Sequence, residues 1–370
     1  DAWLQMPILS NHTIIKNFFV LSMGLAGLWA WFSARAWSDF NDGIMAVGRC
    51  LLIVMYFFGV FHKINHGFLN PEVSCAVSLW LDMPWPLNQI RGDWFWPLAI
   101  YGVLALETLI MAMLLYRPWR HAGIVCGIAF HMMLGLSEYA LYPQFSMLSI
   151  VLHSCFLSES SASAIIHSDY RDRLVRGLRK PAVLIVLVAM VAVFVWSSML
   201  GNYAEAGVVW FAAMVPLWFL FYRYGKDRPE SRERLGKTII GFPWWLNILT
   251  AVFIFNCITP YLGLKTAQSI NMFANLRLEN GASNHIILSG APGPFGYLEA
   301  PVRIEESHGN GYLSYIRRKD LHLNWYHLLS LLEEDPGATV TFTRNGKRYE
   351  NQSAATLRDE IENTLHPWWF

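Results

Sequence analysis

The chain has 370 residues, 54% hydrophobic and only 15% charged, where an ordinary soluble domain carries about a quarter charged residues. That excludes a soluble globular protein of this size and points to an α-helical integral membrane protein in a lipid bilayer. A net charge of +1, with basic residues dispersed through short loops, excludes a nucleic-acid surface.

Seventeen tryptophans suit an interfacial aromatic belt. The sequence opens at Asp1, which leaves targeting at that end unassessed. Cys50, Cys126, Cys155 and Cys257 fall in apolar segments and Cys75 in a polar loop, so neither a disulfide framework nor a CxxC metal site is expected.

Apolar runs near the length of a membrane crossing predict about eight spans, at 13–31, 44–61, 95–116, 122–136, 145–157, 182–200, 207–222 and 242–262. The fourth and fifth are short enough to be kinked or re-entrant. The odd-numbered connections carry Arg35, Arg117 and Arg120, the cluster from Arg171 to Lys180, and the cluster from Arg223 to Lys237. The even-numbered ones carry only Lys63 and Arg91. The positive-inside rule then places the odd loops in the cytoplasm, with both termini and the Lys63 loop extracytoplasmic.

The second span ends in Phe61-His62-Lys63-Ile64-Asn65-His66-Gly67-Phe68, which sets a lysine, two histidines and an asparagine at the mouth of an oily helix. A lysine there either snorkels into water as an anchor, or is held desolvated, where it yields its proton more readily and serves as a base. His62, Asn65 and His66 form a polar cluster suited to proton transfer as well as to solvation. His62 and His66 share one helical face, but only Glu72 and Cys75 lie nearby and no HExxH pattern occurs, so no metal site is predicted.

His131 lies in the outer half of the fourth span, level with Lys63. Two ionisable groups at one depth on different spans mark a shared polar cavity, with Tyr139 and Tyr142 on its rim. Arg49 and Glu107 fall roughly 8 and 13 Å from the cytoplasmic side at helical rise, and are expected to form a structural ion pair. No P-loop, GxSxG or dinucleotide fingerprint is present.

Near Lys265 the apolar runs shorten while glycine and charge rise, which divides the chain into a helical domain at 1–264 and a small extracytoplasmic α+β domain at 265–370. Strands are expected at 284–289, 300–305, 311–315, 339–343 and 348–349, the last two flanking the hairpin signal Asn345-Gly346. Helices are expected at 324–333 and 354–364.

Three stretches carry a family resemblance. Phe61-His62-Lys63-Ile64-Asn65-His66-Gly67-Phe68 is similar to the lysine segment of the vitamin K-dependent γ-glutamyl carboxylase family. Ala129-Phe130-His131-Met132-Met133 with Tyr142-Pro143-Gln144-Phe145-Ser146-Met147-Leu148 resembles that family's "FHxMN … FPYVML" helix pair. Met272 to Arg277 with Ser283-Asn284-His285 resembles the junction to the outer domain in bacterial relatives carrying the horizontally transferred transmembrane (HTTM) domain.

The resemblance implies a multi-span fold with a β-rich outer domain in a bacterial inner membrane. It also implies a quinol-coupled enzyme using reduced vitamin K or menaquinol, with O2 and CO2 as co-substrates. Lys63 would be the base toward the hydroquinone, and the strong base formed with oxygen would abstract the γ-proton of a peptidyl glutamate before carboxylation. His131 would act beside Lys63, while His62, Asn65, His66, Tyr139 and Tyr142 would bind the quinone. Set beside the animal carboxylase of that family, this much shorter sequence is expected to lack most of the lumenal region that recognises the propeptide of the protein substrate. The other reading it admits is a noncatalytic quinone- or lipid-binding protein whose outer domain holds a partner.

Overall fold

The structure, a computed structural model, describes residues 11–33, 37–137, 142–200, 203–226, 240, 243–265, 268–279, 281–290, 292–294, 300–318 and 322–359. The chain forms two compact units: Ser10–Cys257 with Ile270–Asn275, and Ile258–Ser269 with Leu276–Phe370. The segment 270–275 therefore counts with the helices.

The first unit is helical: α1 Asn11–Phe32, α2 Trp37–Phe61, α3 His66–Leu69, α4 Cys75–Leu81, α5 Trp96–Leu115, α6 Arg120–Leu134, α7 Tyr142–Ser154, α8 Glu159–Ile166, α9 Asp169–Leu178, α10 Pro181–Met199, α11 Tyr203–Tyr224 and α12 Leu246–Ile258. Local chemistry sets several starts. Ser74, Ser158 and Ser168 each cap a helix by accepting from a backbone N–H one turn in, and proline stands in the first turn of α5, where its missing N–H costs nothing.

Among the described residues four helices are long and apolar enough to cross a membrane, within 11–32, 40–61, 96–115 and 206–224. The number rises to six if two bent pairs each count as one span, α7 with α8 at 118° and α9 with α10 at 79°. Of the eight expected crossings, the fourth and eighth become the 15-residue α6 and the 13-residue α12. At 1.5 Å per residue these are about 22 and 20 Å long, short of a hydrocarbon core of about 30 Å.

Helix α2 is central, packing on α1, α5 and α7, while α6 packs on α5, α7 and α11. Glycines allow the close approaches. A Cβ on Gly48 would stand 2.6 Å from the Cys155 sulfur, and one on Gly127 would overlap the His153 ring.

In the second unit a hairpin of β1 Leu278–Glu279 and β2 Ala282–Ser283 precedes a four-stranded antiparallel sheet of β3 Val302–His308, β4 His322–Leu323, β5 Thr339–Arg344 and β6 Lys347–Gln352, in the order β4-β3-β5-β6. Two helices, α13 Gly311–Arg318 and α14 Trp325–Glu334, complete it. The core joins Val302, Ile304, Val340 and Phe342 of the sheet to Leu313, Ile316, Leu328, Leu329 and Leu332 of the helices. β5 and β6 turn through Asn345-Gly346, both at positive φ, as the two-residue hairpin requires.

Two expected strands are corrected. Residues 311–315 are helical, because Asn310 accepts from the N–H groups of Tyr312 and Leu313 and the buried residues Leu313 and Ile316 follow a three-residue spacing. Residues 284–289 form no strand: the short hairpin lies just before them, and past it an isolated bridge joins Ala282 to Gly290, with the Ser283 N–H donating to Ser289 O at 2.7 Å. Of the expected helix at 354–364, residues 354–357 are turns and those beyond 359 lie outside the described residues.

Candidate functional site

The site begins where α2 runs out. Asn65 fastens the turn that follows. Its Oδ1 accepts from the Phe68 N–H at 2.8 Å, capping α3, while its Nδ2 donates to the carbonyls of His62 at 2.7 Å and Ala274 at 2.6 Å. The backbone N–H of Lys63 donates to Val60 O at 3.0 Å. With both ends of the turn held, the Lys63 stem folds inward instead of reaching for water, and the residue is 7% exposed.

Its ammonium donates to both carboxylate oxygens of Glu107 on α5, at 2.6 and 2.5 Å. The pair is buried on both sides. A lone charge at this depth would be costly, and mutual pairing is the usual remedy. The expected Arg49–Glu107 pair is thereby corrected. Glu107 Oε2 lies 3.9 Å from where a Cβ on Gly59 would stand, and Gly59 is ten residues along α2 from Arg49, about 15 Å at helical rise. The Arg49 Nε donates instead to the Cys155 carbonyl at 2.5 Å.

Lys63 and Glu107 stand in the wall of a cavity of about 400 Å³, within the range of small-molecule sites. Tyr56 and Gly59 reach it from one face of α2 and Lys63 from the turn just past that helix's end, and His131 and Phe130 reach it from α6. Phe68, Trp80, Phe95 and Phe145 supply aromatic surface, and Met55, Met83, Met133 and Met272 a pliable lining.

A second polar chain leads away from the cavity. The Tyr56 hydroxyl is 3.1 Å from His131 Nε2 and 3.1 Å from His153 Nε2, and His153 Nδ1 is 2.7 Å from the Ser149 carbonyl. A carbonyl only accepts, so His153 Nδ1 carries the proton and its Nε2 accepts from Tyr56. The Tyr56 oxygen then accepts from His131 Nε2–H. This assignment, made from the bonding network, leaves His131 Nδ1 as a bare lone pair, and that atom is buried without a partner among the described residues.

The predicted residues divide accordingly. Lys63 and His131 line one cavity. His62 is buried against Phe58, with ring centroids 5.3 Å apart, Asn65 serves the turn, and His66 is exposed. None of these three lines the cavity. Tyr139 lies outside the described residues, as does the side chain of Tyr142, the first residue of α7. Sequence reasoning missed Tyr56 and His153, and gave Glu107 the wrong partner. The i, i+7 spacing of Tyr56 and Lys63 was the available sign for Tyr56.

No protein-family model, no curated protein and no solved structure matches the chain.

Proposed function

We propose that the chain is a quinol-coupled membrane enzyme whose specific reaction is γ-carboxylation of a peptidyl glutamate with epoxidation of the hydroquinone. The observation that carries this reading is a buried Lys63–Glu107 pair set in the wall of an apolar, aromatic cavity. The donor set fits the group: aromatic rings and methionines suit a fused ring and its isoprenoid tail, and a cation beside an anion suits a hydroxyl that must give up a proton. When bound, a hydroquinone such as reduced vitamin K or menaquinol supplies ionisable hydroxyls and two electrons. Lys63, the base in the family resemblance, works here as one half of a pair with Glu107. Tyr56 and His131 border the same space, the Tyr56 oxygen accepting from His131 Nε2–H.

In the same reading the short helices α6 and α12 bring the crossings toward eight. The C-terminal unit and both termini are extracytoplasmic, and the bilayer is a bacterial inner membrane. The test is to supply the purified chain with menaquinol, O2, labelled bicarbonate and a glutamate peptide, and to measure epoxide and label incorporation together. Both products are expected. Epoxide without label removes the peptide substrate from the reading, and neither product, beside an active control enzyme, replaces the reading with a noncatalytic quinone- or lipid-binding protein.

A further inference from the structure

We propose that Glu107, not Lys63, takes the proton from a hydroxyl of the cavity's ligand, while Lys63 stays cationic and holds the oxygen left behind. The inference rests on the reading that the cavity takes a hydroquinone-type ligand, and it extends to any apolar phenol.

The hydrogen bonds set the resting roles. Lys63 is the donor and Glu107 the acceptor, and two ammonium N–H groups are spent on the two carboxylate oxygens. The third N–H has no hydrogen-bond acceptor among the described residues, and the Phe68 ring centroid stands 5.8 Å from Nζ. Each oxygen of Glu107 keeps a second lone pair, and no other donor reaches it among the described residues. One donor and one acceptor therefore stand side by side on residues that both line the cavity. A single hydroxyl meets both, its hydrogen on Glu107 and its oxygen on Lys63.

Charge counting favours the same division. The resting pair is neutral overall. When the ligand's O–H bond breaks, an O–H bond forms on Glu107, the electron pair stays on the ligand oxygen, and the third Lys63 N–H moves onto it. No electrons change hands, and the cavity is neutral before and after. For Lys63 to be the base beside an ionised Glu107, the cavity must first hold an uncompensated negative charge, which apolar surroundings penalise heavily.

The test uses the purified full chain with 2-methyl-1-naphthol, whose ionised form absorbs at longer wavelength, at a pH where the probe is neutral in empty micelles. Wild-type protein should show the ionised band, and an infrared difference spectrum should gain a protonated-carboxyl band that shifts with ¹³C-glutamate labelling. Lys63→Arg should keep both, because arginine supplies a cation and cannot act as a base. Glu107→Gln should bind the probe while losing the ionised band roughly tenfold or more, and its turnover with menaquinol should fall on the order of a hundredfold. Loss of the ionised band in Lys63→Arg with its retention in Glu107→Gln overturns the inference and leaves Lys63 as base in the quinol reading. Absence of probe binding by wild-type protein overturns the quinol reading itself. If the Glu107→Gln chain does not fold, the infrared band of the wild-type complex decides alone: its appearance supports the assignment and its absence overturns it.

Discussion

Tyr56 carries two histidines on one hydroxyl, donating to His153 and accepting from His131. Tyr56→Phe keeps the ring and removes both bonds, stranding two buried imidazole nitrogens, so thermal unfolding in detergent should show a loss of about 1–3 kcal/mol. The ion pair gives a different pattern. Lys63→Met alone should cost about 3–5 kcal/mol because it leaves Glu107 charged and buried, whereas Lys63→Met with Glu107→Met should cost less than either single change. A double variant no more stable than the singles would show that the two groups act independently. At this scale the site was half legible. Lys63 and His131 stood out because polar residues in apolar helices are costly, and both line the cavity. The Glu107 partnership did not stand out, because helical rise gives a residue's depth but not how far a lysine stem turns back into the bundle.

Within single elements, legibility followed how local the deciding physics is. Asn345-Gly346 marks its hairpin because both residues take positive φ in the turn itself. The segment Gly311–Arg318 misleads because Tyr312 and Tyr315 are residue types that strands favour; its identity is set by the Asn310 side chain and by Leu313 and Ile316 meeting the sheet. Asn324 caps α14 through its bond to the His327 N–H at 2.7 Å. Asn324→Ala should cost about 1 kcal/mol, read as faster hydrogen exchange in α14. On the sheet, Glu305 accepts from the Thr343 hydroxyl, and from Arg348 Nε at 2.8 Å. The Thr343 bond first, and Arg348 beside it, hold this carboxyl below its ordinary value near 4.5. A carboxyl lowered on folding stabilises the fold at pH values above that ordinary value, and its contribution drains away as pH falls through the lowered one. Amide protection across β3 and β5 should therefore fall on acidification in the wild-type chain, and the slope should flatten in Glu305→Gln. Equal slopes would remove Glu305 from the acid response.

At the scale of the whole molecule, composition was enough to read a membrane protein, but the number of crossings was not, because hydropathy counts apolar runs without seeing where a helix breaks. The 118° bend between α7 and α8 and the 79° bend between α9 and α10 are such breaks. Helix α9 buries none of its residues within the chain, carries Arg171, Arg173 and Arg176, and meets the apolar α10 at its bend. A polar, basic helix turned away from an apolar one suits the membrane surface on the positive side. Arg120, counted with the loop charges, is in fact buried, with its Nε donating to Leu114 O at 3.2 Å and its guanidinium 6.0 Å from the Phe156 ring, so the orientation rests more heavily on α9. Labelling of spheroplasts with a membrane-impermeant maleimide tests it. In a chain with Cys75→Ser and Cys126→Ala, a cysteine introduced by Gln89→Cys in the connection after α2 should react from outside. One introduced by Arg176→Cys should react only after lysis. Both positions are exposed, so failure to label cannot be laid to burial, and the opposite pattern would turn the molecule over and place the mouth of α2 in the cytoplasm. Because Lys63 lies just past the end of α2, the same two labels decide which side of the membrane its turn faces and, in the proposed reaction, from which side a peptide substrate would arrive.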